Sequence, residues 1–210
     1  MRARIRDDIL CCRLLPGSKL NIAALAGALD VSLGAVREAL SMLQSEALVI
    51  SEPQRGYTVS PVSLKELDDI TEARIAIETL CLRQSLRRGD LAWESAVVAA
   101  WHTLSRLSET EEGRSQHLSK PWARAHADFH ASLVGACGND WLLRMRATLY
   151  EQSERYRRLS VPLAHAKRDV PAEHKAIFDA VMDRDTERAM AALEDHLRKT
   201  ATIVRASASL

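Results

Sequence analysis

The sequence predicts a mainly α-helical protein: an N-terminal winged helix-turn-helix, helices with one small β-hairpin, followed by an all-α antiparallel bundle of about six helices. Three observations carry this reading. Apolar residues recur at three- and four-residue spacing along most of the 210 positions. Between residues 48 and 59 that period gives way to two short β-rich runs about a turn. Beyond the short Pro61 to Ser63 linker, helix start and stop signals follow one another at short intervals and no strand pattern survives.

In the first module, Ile5, Ile9, Leu10 and Leu14 mark one face of a helix that Pro16 and Gly17 stop. A second helix begins near Asn21, carries Ile22, Leu25, Ala26 and Leu29, and breaks at Asp30. Ser32 caps a third, with Val36, Leu40 and Leu43 on its inner face. Leu48 to Ile50 then read as a strand, Glu52 to Gly56 as a turn, and Tyr57 to Val59 as the returning strand. Arg37 falls on the exposed side of the third helix, and Gln54, Arg55 and Gly56 fall at the wing tip. Such a helix fits a DNA major groove and such a wing reaches backbone or minor groove, although the same layout also occurs as a purely structural packing unit.

In the second module, Ser63 and Glu66 form a capping box, and Leu64, Leu67, Ile70, Ile77 and Leu80 are expected to supply a buried stripe that ends before Gly89. Further helices are expected at 91–109, 121–136, 141–159, 172–183 and 186–206. Asp90, Pro121, Asp140 and Pro171 mark their starts, and Gly113 and Gly138-Asn139 mark breaks. Domain limits of 1–62 and 63–210 follow.

Composition sets bounds on function. With 47% hydrophobic and 27% charged residues, the chain reads as an ordinary soluble globular protein. No run approaches the roughly 18 apolar residues of a membrane span, the N-terminus lacks a signal peptide's apolar stretch, and the expected location is the cytoplasm. Cys11, Cys12, Cys81 and Cys137 lack CxxC spacing and read as packing residues in a reducing compartment. The net charge is +1. Bulk electrostatics therefore says little about nucleic acid, and a DNA argument must rest on pattern.

Four of the seven histidines point to chemistry. His126 and His130 stand four apart, so on a helix both leave the same face one turn apart, a spacing that lets two imidazoles hold one ion. His174 shares a face with Ile177 and Val181, and His196 lies near Leu193 and Ile203, so both point inward. A lone inward histidine is usually a hydrogen-bonded core residue. Four converging in one bundle favour a metal, because each buried imidazole without partners costs about 1–3 kcal/mol. His102, His117 and His165 read as surface residues.

The run Leu15-Pro16-Gly17, Leu25-Ala26, Val31-Ser32, Val36 to Leu40, Leu43, Leu48-Val49 and Arg55 to Val59 resembles the DNA-binding domain of GntR-family transcriptional regulators. The resemblance implies DNA contacts at Ser32, Leu33 and Gly34 in addition to Arg37 and the wing. Leu33, Gly34 and Ala35 stand where members commonly carry Arg, Thr and Pro, which implies a different operator and fewer neutralised phosphates. Ala47 replaces a common glycine after the recognition helix, so that corner is expected to be built differently.

Arg74 and Glu78, Phe129-His130 with Leu133 and Gly138-Asn139, and Glu173-His174 with Ile177, Asp185, Ala189 and His196 resemble the FCD ligand-binding domain of one GntR subfamily. That resemblance implies a divalent ion on an Asp or Asn and three histidines, with a small organic acid effector beside it; a homodimer on a two-fold DNA operator is expected because helix-turn-helix proteins usually bind two half-sites. His126 occupies the first ligand position, which favours zinc, nickel or cobalt over magnesium or calcium and removes one negative charge. Arg74 is read either as a bidentate clamp on the effector or as a partner of Glu78 at the bundle surface. Gln152 and Arg155 are expected to line the same cavity. The competing classes are a metal-dependent enzyme acting on small organic acids and a bundle serving only for dimerisation. Against the enzyme, Glu173 should diverge by about 100° from the ion held by His174, and no HExxH helix, nucleophile elbow or phosphate loop is present.

Overall fold

A computed structural model of the chain describes residues 1–52, 56–111, 114–160 and 168–206. The chain divides into two compact units, Met1–Glu66 and Leu67–Leu210.

The first unit contains α1 (Arg2–Leu10), β1 (Lys19–Leu20), α2 (Ile22–Leu29), α3 (Leu33–Ser45), β2 (Val49–Glu52) and β3 (Gly56–Val59). Ile5 and Ile9 from α1 meet Val36, Leu40 and Leu43 from α3 and Leu48 and Val59 from the sheet region, all with no exposed surface. Burial of each such aliphatic chain contributes about 1.5–3 kcal/mol. The α1 helix ends at Leu10, earlier than Pro16 alone would enforce, where Cys12 turns left-handed (φ +54°) and Leu14 is left only partly buried. Asn21 and Ser32 cap α2 and α3 by accepting the Ala24 and Ala35 amides at 3.0 and 3.2 Å.

The wing carries a strand the sequence did not disclose. The two residues of β1 pair with β3, giving the antiparallel order β1-β3-β2. Two residues are too few to establish an alternating pattern.

The corner after α3 keeps the geometry expected of glycine. The Leu48 amide donates to the Leu43 carbonyl (3.1 Å) and the Ala47 amide to the Gln44 carbonyl (3.0 Å), with Ala47 left-handed at φ +58°. This is a Schellman closure, and Leu43 and Leu48, both fully buried, supply its apolar contact. The expected rearrangement does not occur. Alanine is held in the glycine conformation at the cost of some strain.

The second unit contains six helices among the described residues: α4 (Leu64–Arg88), α5 (Leu91–Ser105), α6 (Lys120–Leu133), α7 (Asp140–Ser160), α8 (Val170–Met182) and α9 (Thr186–Ala206). The caps are Asp90, Ser119 and Asp169 for α5, α6 and α8, while Asn139 holds the first amides of α7. The expected Gly113 break lies outside the described residues. The α5 helix stops at Ser105, short of the expected 109, and β4 (Thr110–Glu111) and β5 (Arg114–Leu118) pair antiparallel between the expected helices 91–109 and 121–136, where no strand was expected. A two-residue strand against a polar five-residue partner leaves no apolar alternation to read.

The expected stripe on α4 is also corrected. Leu64 and Leu80 are exposed, whereas the inner face runs Leu67, Thr71, Ile75, Glu78, Cys81, Leu82, Ser85 and Leu86. Polar residues at Thr71, Glu78 and Ser85 shift the apparent apolar phase of the sequence. Around them the core joins Leu82, Val97, Phe129, Leu133, Ile177, Val181 and Leu193 from five helices. Cys81 and Cys137 are buried free thiols, as expected of packing residues, and Cys11 and Cys12 are half-buried.

Candidate metal centre and DNA-reading face

Pro121 near the start of α6 and the Ser119 cap fix the phase in which His126 and His130 face inward with Trp122 and Phe129. His174 lies on the inner face of α8 with Val170, Ile177 and Val181, and His196 on that of α9 with Leu193 and Leu197. All four are at most 5% exposed. Their ring centroids lie 4.5–6.1 Å apart in every pairing, and one nitrogen from each falls within 4.8 Å of the other three. His102 is exposed. The side chains of His117 and His165 lie outside the described residues.

The remaining nitrogens are mostly held. Tyr150 Oη stands 2.8 Å from His126 Nδ1, and Glu173 Oε2 stands 2.8 Å from His196 Nδ1. The His174 ring is hydrogen-bonded to the Val170 backbone. His130 Nδ1 is buried with no hydrogen-bond partner among the described residues. His130 Nε2 and His174 Nε2 face each other at 3.3 Å. Two nitrogens each about 2.0–2.1 Å from one tetrahedral zinc stand about 3.3–3.4 Å apart, so this pair is spaced as two ligands of one ion.

Electrostatics favours neutral imidazoles. Burial, and then the repulsion of neighbouring rings and arginines, holds His126, His130 and His174 well below the ordinary histidine value; His196 is lowered as well, chiefly by burial. Neutral rings present the lone pairs a metal requires. Burial opposes ionisation of Glu173, but hydrogen bonds from His196 and Arg168 prevail and bring its pKa to about 2. Arg168 also donates to the His196 carbonyl and to Thr200. Glu173 therefore serves as an ionised carboxylate orienting one ring, an arrangement common around metal-bound histidine.

Arg74 does pair with Glu78, but in the interior and not at the bundle surface. Its Nη2 lies 2.6 Å from Glu78 Oε1, Arg146 Nε lies 3.4 Å from Oε2, and Glu78 is 1% exposed. Arg74 also donates to Ser153 at 2.9 Å, and the guanidinium groups of Arg74 and Arg146 lie 5.2 and 4.7 Å from the centre of the Tyr150 ring. Beside His126 and His196 is a cavity of about 30 Å³, lined in part by Thr71, Arg74, Ser153, Arg157 and Thr200. Neither Gln152, half-buried, nor Arg155, 1% exposed, is among the residues lining it. The inner register of α7 is Arg146, Tyr150, Ser153 and Arg157, a helical phase set by polar residues that an apolar pattern misses. Tyr150 was not singled out by the sequence, and Glu173, expected to diverge from the ion, instead reaches His196 within the cluster.

On the first unit, Ser32 Oγ is engaged as the α3 cap, and Leu33 (47% exposed), Gly34 and Arg37 form the open N-terminal face of that helix. Arg37 pairs with no acidic group among the described residues. Gly56 opens β3 at φ +85°, and Gln54 and Arg55 lie outside the described residues.

A winged helix-turn-helix followed by an all-helical bundle is the architecture of a DNA-binding regulator. Comparison with known proteins specifies it. Residues 1–59 match the family of bacterial regulatory proteins, gntR family, and residues 69–199 match the FCD domain. The chain is 42% identical to the uncharacterized HTH-type transcriptional regulator BphR of Paraburkholderia xenovorans, covering 96% of this chain and 82% of that protein. It is 34% identical to the HTH-type transcriptional repressor GlaR of Escherichia coli, covering 96% and 92%. A GntR transcriptional regulator from Rhodococcus sp. RHA1 shares the fold at a TM-score of 0.77 and 21% identity, over 98% of this chain and 96% of that one. The protein belongs to the GntR family of transcriptional regulators, with an FCD domain. None of its helices is long and apolar enough to cross a membrane, among the described residues.

Proposed function

We propose that this protein is a repressor whose affinity for operator DNA is set by a small carboxylate bound beside a divalent transition-metal ion on His126, His130, His174 and His196. The observation that carries this reading is the convergence of four buried imidazoles, the outer nitrogens of three of them held by Tyr150, the Val170 backbone and Glu173. An all-nitrogen donor set suits zinc first, then nickel or cobalt, and disfavours magnesium and calcium. Expanding to five or six coordination, such an ion supplies positive charge and one or two open positions for a carboxylate oxygen. The role is regulatory and not catalytic.

Arg74, Ser153 and Arg157 are the groups placed to receive the rest of the effector, in the role expected of Gln152 and Arg155. The space beside the rings is about 30 Å³, room for about two waters at roughly 10–15 Å³ each. Any carboxylate must therefore part α4, α7 and α9, and Arg74 must share donors now given to Glu78 and Ser153. That displacement is the differential state through which effector and DNA are linked. DNA is read by Ser32, Leu33, Gly34 and Arg37, with Gln54, Arg55 and Gly56 on the wing. The protein acts in the cytoplasm as a homodimer on a two-fold operator.

A thermal-shift screen of small carboxylates on zinc-loaded and chelated protein tests the reading. A ligand at about 100 times its dissociation constant adds about 2.7 kcal/mol. Stabilisation by a carboxylate in the zinc-loaded protein alone supports it; equal stabilisation in both states removes the metal from effector recognition. His126→Asp at equal metal occupancy is expected to weaken carboxylate binding, and tighter binding would contradict the charge argument.

A further inference from the structure

Between the end of α5, the start of α6 and the first turns of α8 lies a second cavity, of about 340 Å³. Trp101, Leu104, Leu107, Trp122, Pro171 and His174 form most of its wall. Two indoles give it aromatic faces, and both are braced. Trp101 stacks on Phe178 (5.3 Å, 18°) and leans on Phe129, while Trp122 stacks on His126 (4.7 Å, 23°) and has the Arg157 guanidinium 5.4 Å from its ring centre.

The polar groups at this cavity are already engaged. Ser105 Oγ donates to the His102 carbonyl, Asp169 accepts the Ala172 amide, and Lys175 is paired with Asp179 at 2.6 Å. His174 is hydrogen-bonded to the Val170 backbone and, through Nε2, faces His130. Among the described residues Asp169 is the one wall carboxylate with no cationic partner, so the wall repels an anion, and burying a charged ligand there would forfeit its hydration. The volume is about twice the ~150 Å³ of an apolar cavity known to hold one benzene.

We propose that this cavity binds a neutral, flat aromatic molecule of two fused rings, an aromatic hydrocarbon or its nitrogen heterocycle, packed against Trp101 and Trp122. This site differs from the histidine cluster in ligand chemistry and does not depend on a metal. His174 is a member of the cluster and Trp122 stacks on His126, so an occupant touches the cluster's own surroundings.

Titration calorimetry of the full-length, chelated protein with naphthalene and with indole decides it. One saturable site per chain is expected. Ala172→Trp and Ser105→Trp, both at exposed positions on the rim, should weaken binding at least tenfold while leaving the thermal melt in place. Two plugs approaching from different helices keep the test decisive if one fails to fold. Naphthalene-2-carboxylate, with the same rings and one charge, should bind at least tenfold more weakly than naphthalene. Absence of saturable binding, indifference to both plugs, or carboxylate binding as tight as that of the hydrocarbon would overturn the proposal.

Discussion

The phenol oxygen of Tyr150 stands 2.8 Å from Nδ1 of His126, and the same ring lies against the guanidinium groups of Arg74 and Arg146. One side chain thus joins the histidine cluster to the buried Arg74–Glu78–Arg146 group. Burial raises the Tyr150 pKa to about 12, so the phenol is neutral and exchanges a single proton with His126. With Nδ1 engaged in that bond, Nε2 is the nitrogen of His126 left to face an ion.

Tyr150→Phe keeps the ring on both guanidiniums and removes only the oxygen. Metal affinity is expected to fall about 10–100-fold, the usual cost of losing a group that orients a ligating histidine. Competition with a chelator of known affinity, with circular dichroism to confirm the fold, measures it. Unchanged affinity would reduce Tyr150 to packing.

Glu78→Gln should destabilise the bundle by about 3–5 kcal/mol, because it leaves Arg74 and Arg146 buried beside a neutral amide. Burial disfavours ionised Glu78, but the two arginines outweigh it and hold its pKa below 4.5. The sign follows: its stabilisation is complete above the unfolded value near 4.5 and is lost as pH falls through the lower folded value. Urea melts of the two proteins should therefore differ fully at pH 7 and converge in strong acid. A gap that persists unchanged into acid would exclude ionised Glu78 as the cause.

Ala47→Gly should stabilise the winged unit by about 0.5–1 kcal/mol, since relief of left-handed strain exceeds the added freedom of the unfolded chain. Thermal melts test this. Destabilisation would mean that the Ala47 methyl does more for packing than its backbone costs.

Arg37 is the one Lys or Arg in α3, Leu33–Ser45. Arg37→Ala is expected to weaken operator binding by about 1–3 kcal/mol. With no other cation on that helix, the logarithmic salt dependence of binding should be shallow. Fluorescence anisotropy at two salt concentrations reads both quantities, and unaltered affinity would place the reading face elsewhere.

How far the sequence spoke depended on which physical signal each element carries. The module Ile5 to Val59 was legible because its apolar residues lie on one face of each helix and Asn21, Asp30 and Ser32 punctuate it. The histidines were legible because their spacing on three amphipathic helices placed them inward. The α4 stripe was misphased because Glu78 and Thr71 occupy the inner face where an apolar pattern expects none. The same cause moved the expected α7 lining to Gln152 and Arg155, roughly 130° and roughly 170° from the Tyr150–Ser153–Arg157 register at about 100° per residue. Paired strands such as β1 and β4 are too short to show a period at all.

The central claim is that four imidazoles hold one ion, and titration of cobalt(II) into chelated protein, followed by its visible absorption, tests it most directly. The expected result is a visible d–d absorption that saturates at one equivalent per chain, with cobalt affinity lost or weakened at least tenfold in His130→Ala and His174→Ala. A titration with no band, or one indifferent to both substitutions, would contradict it.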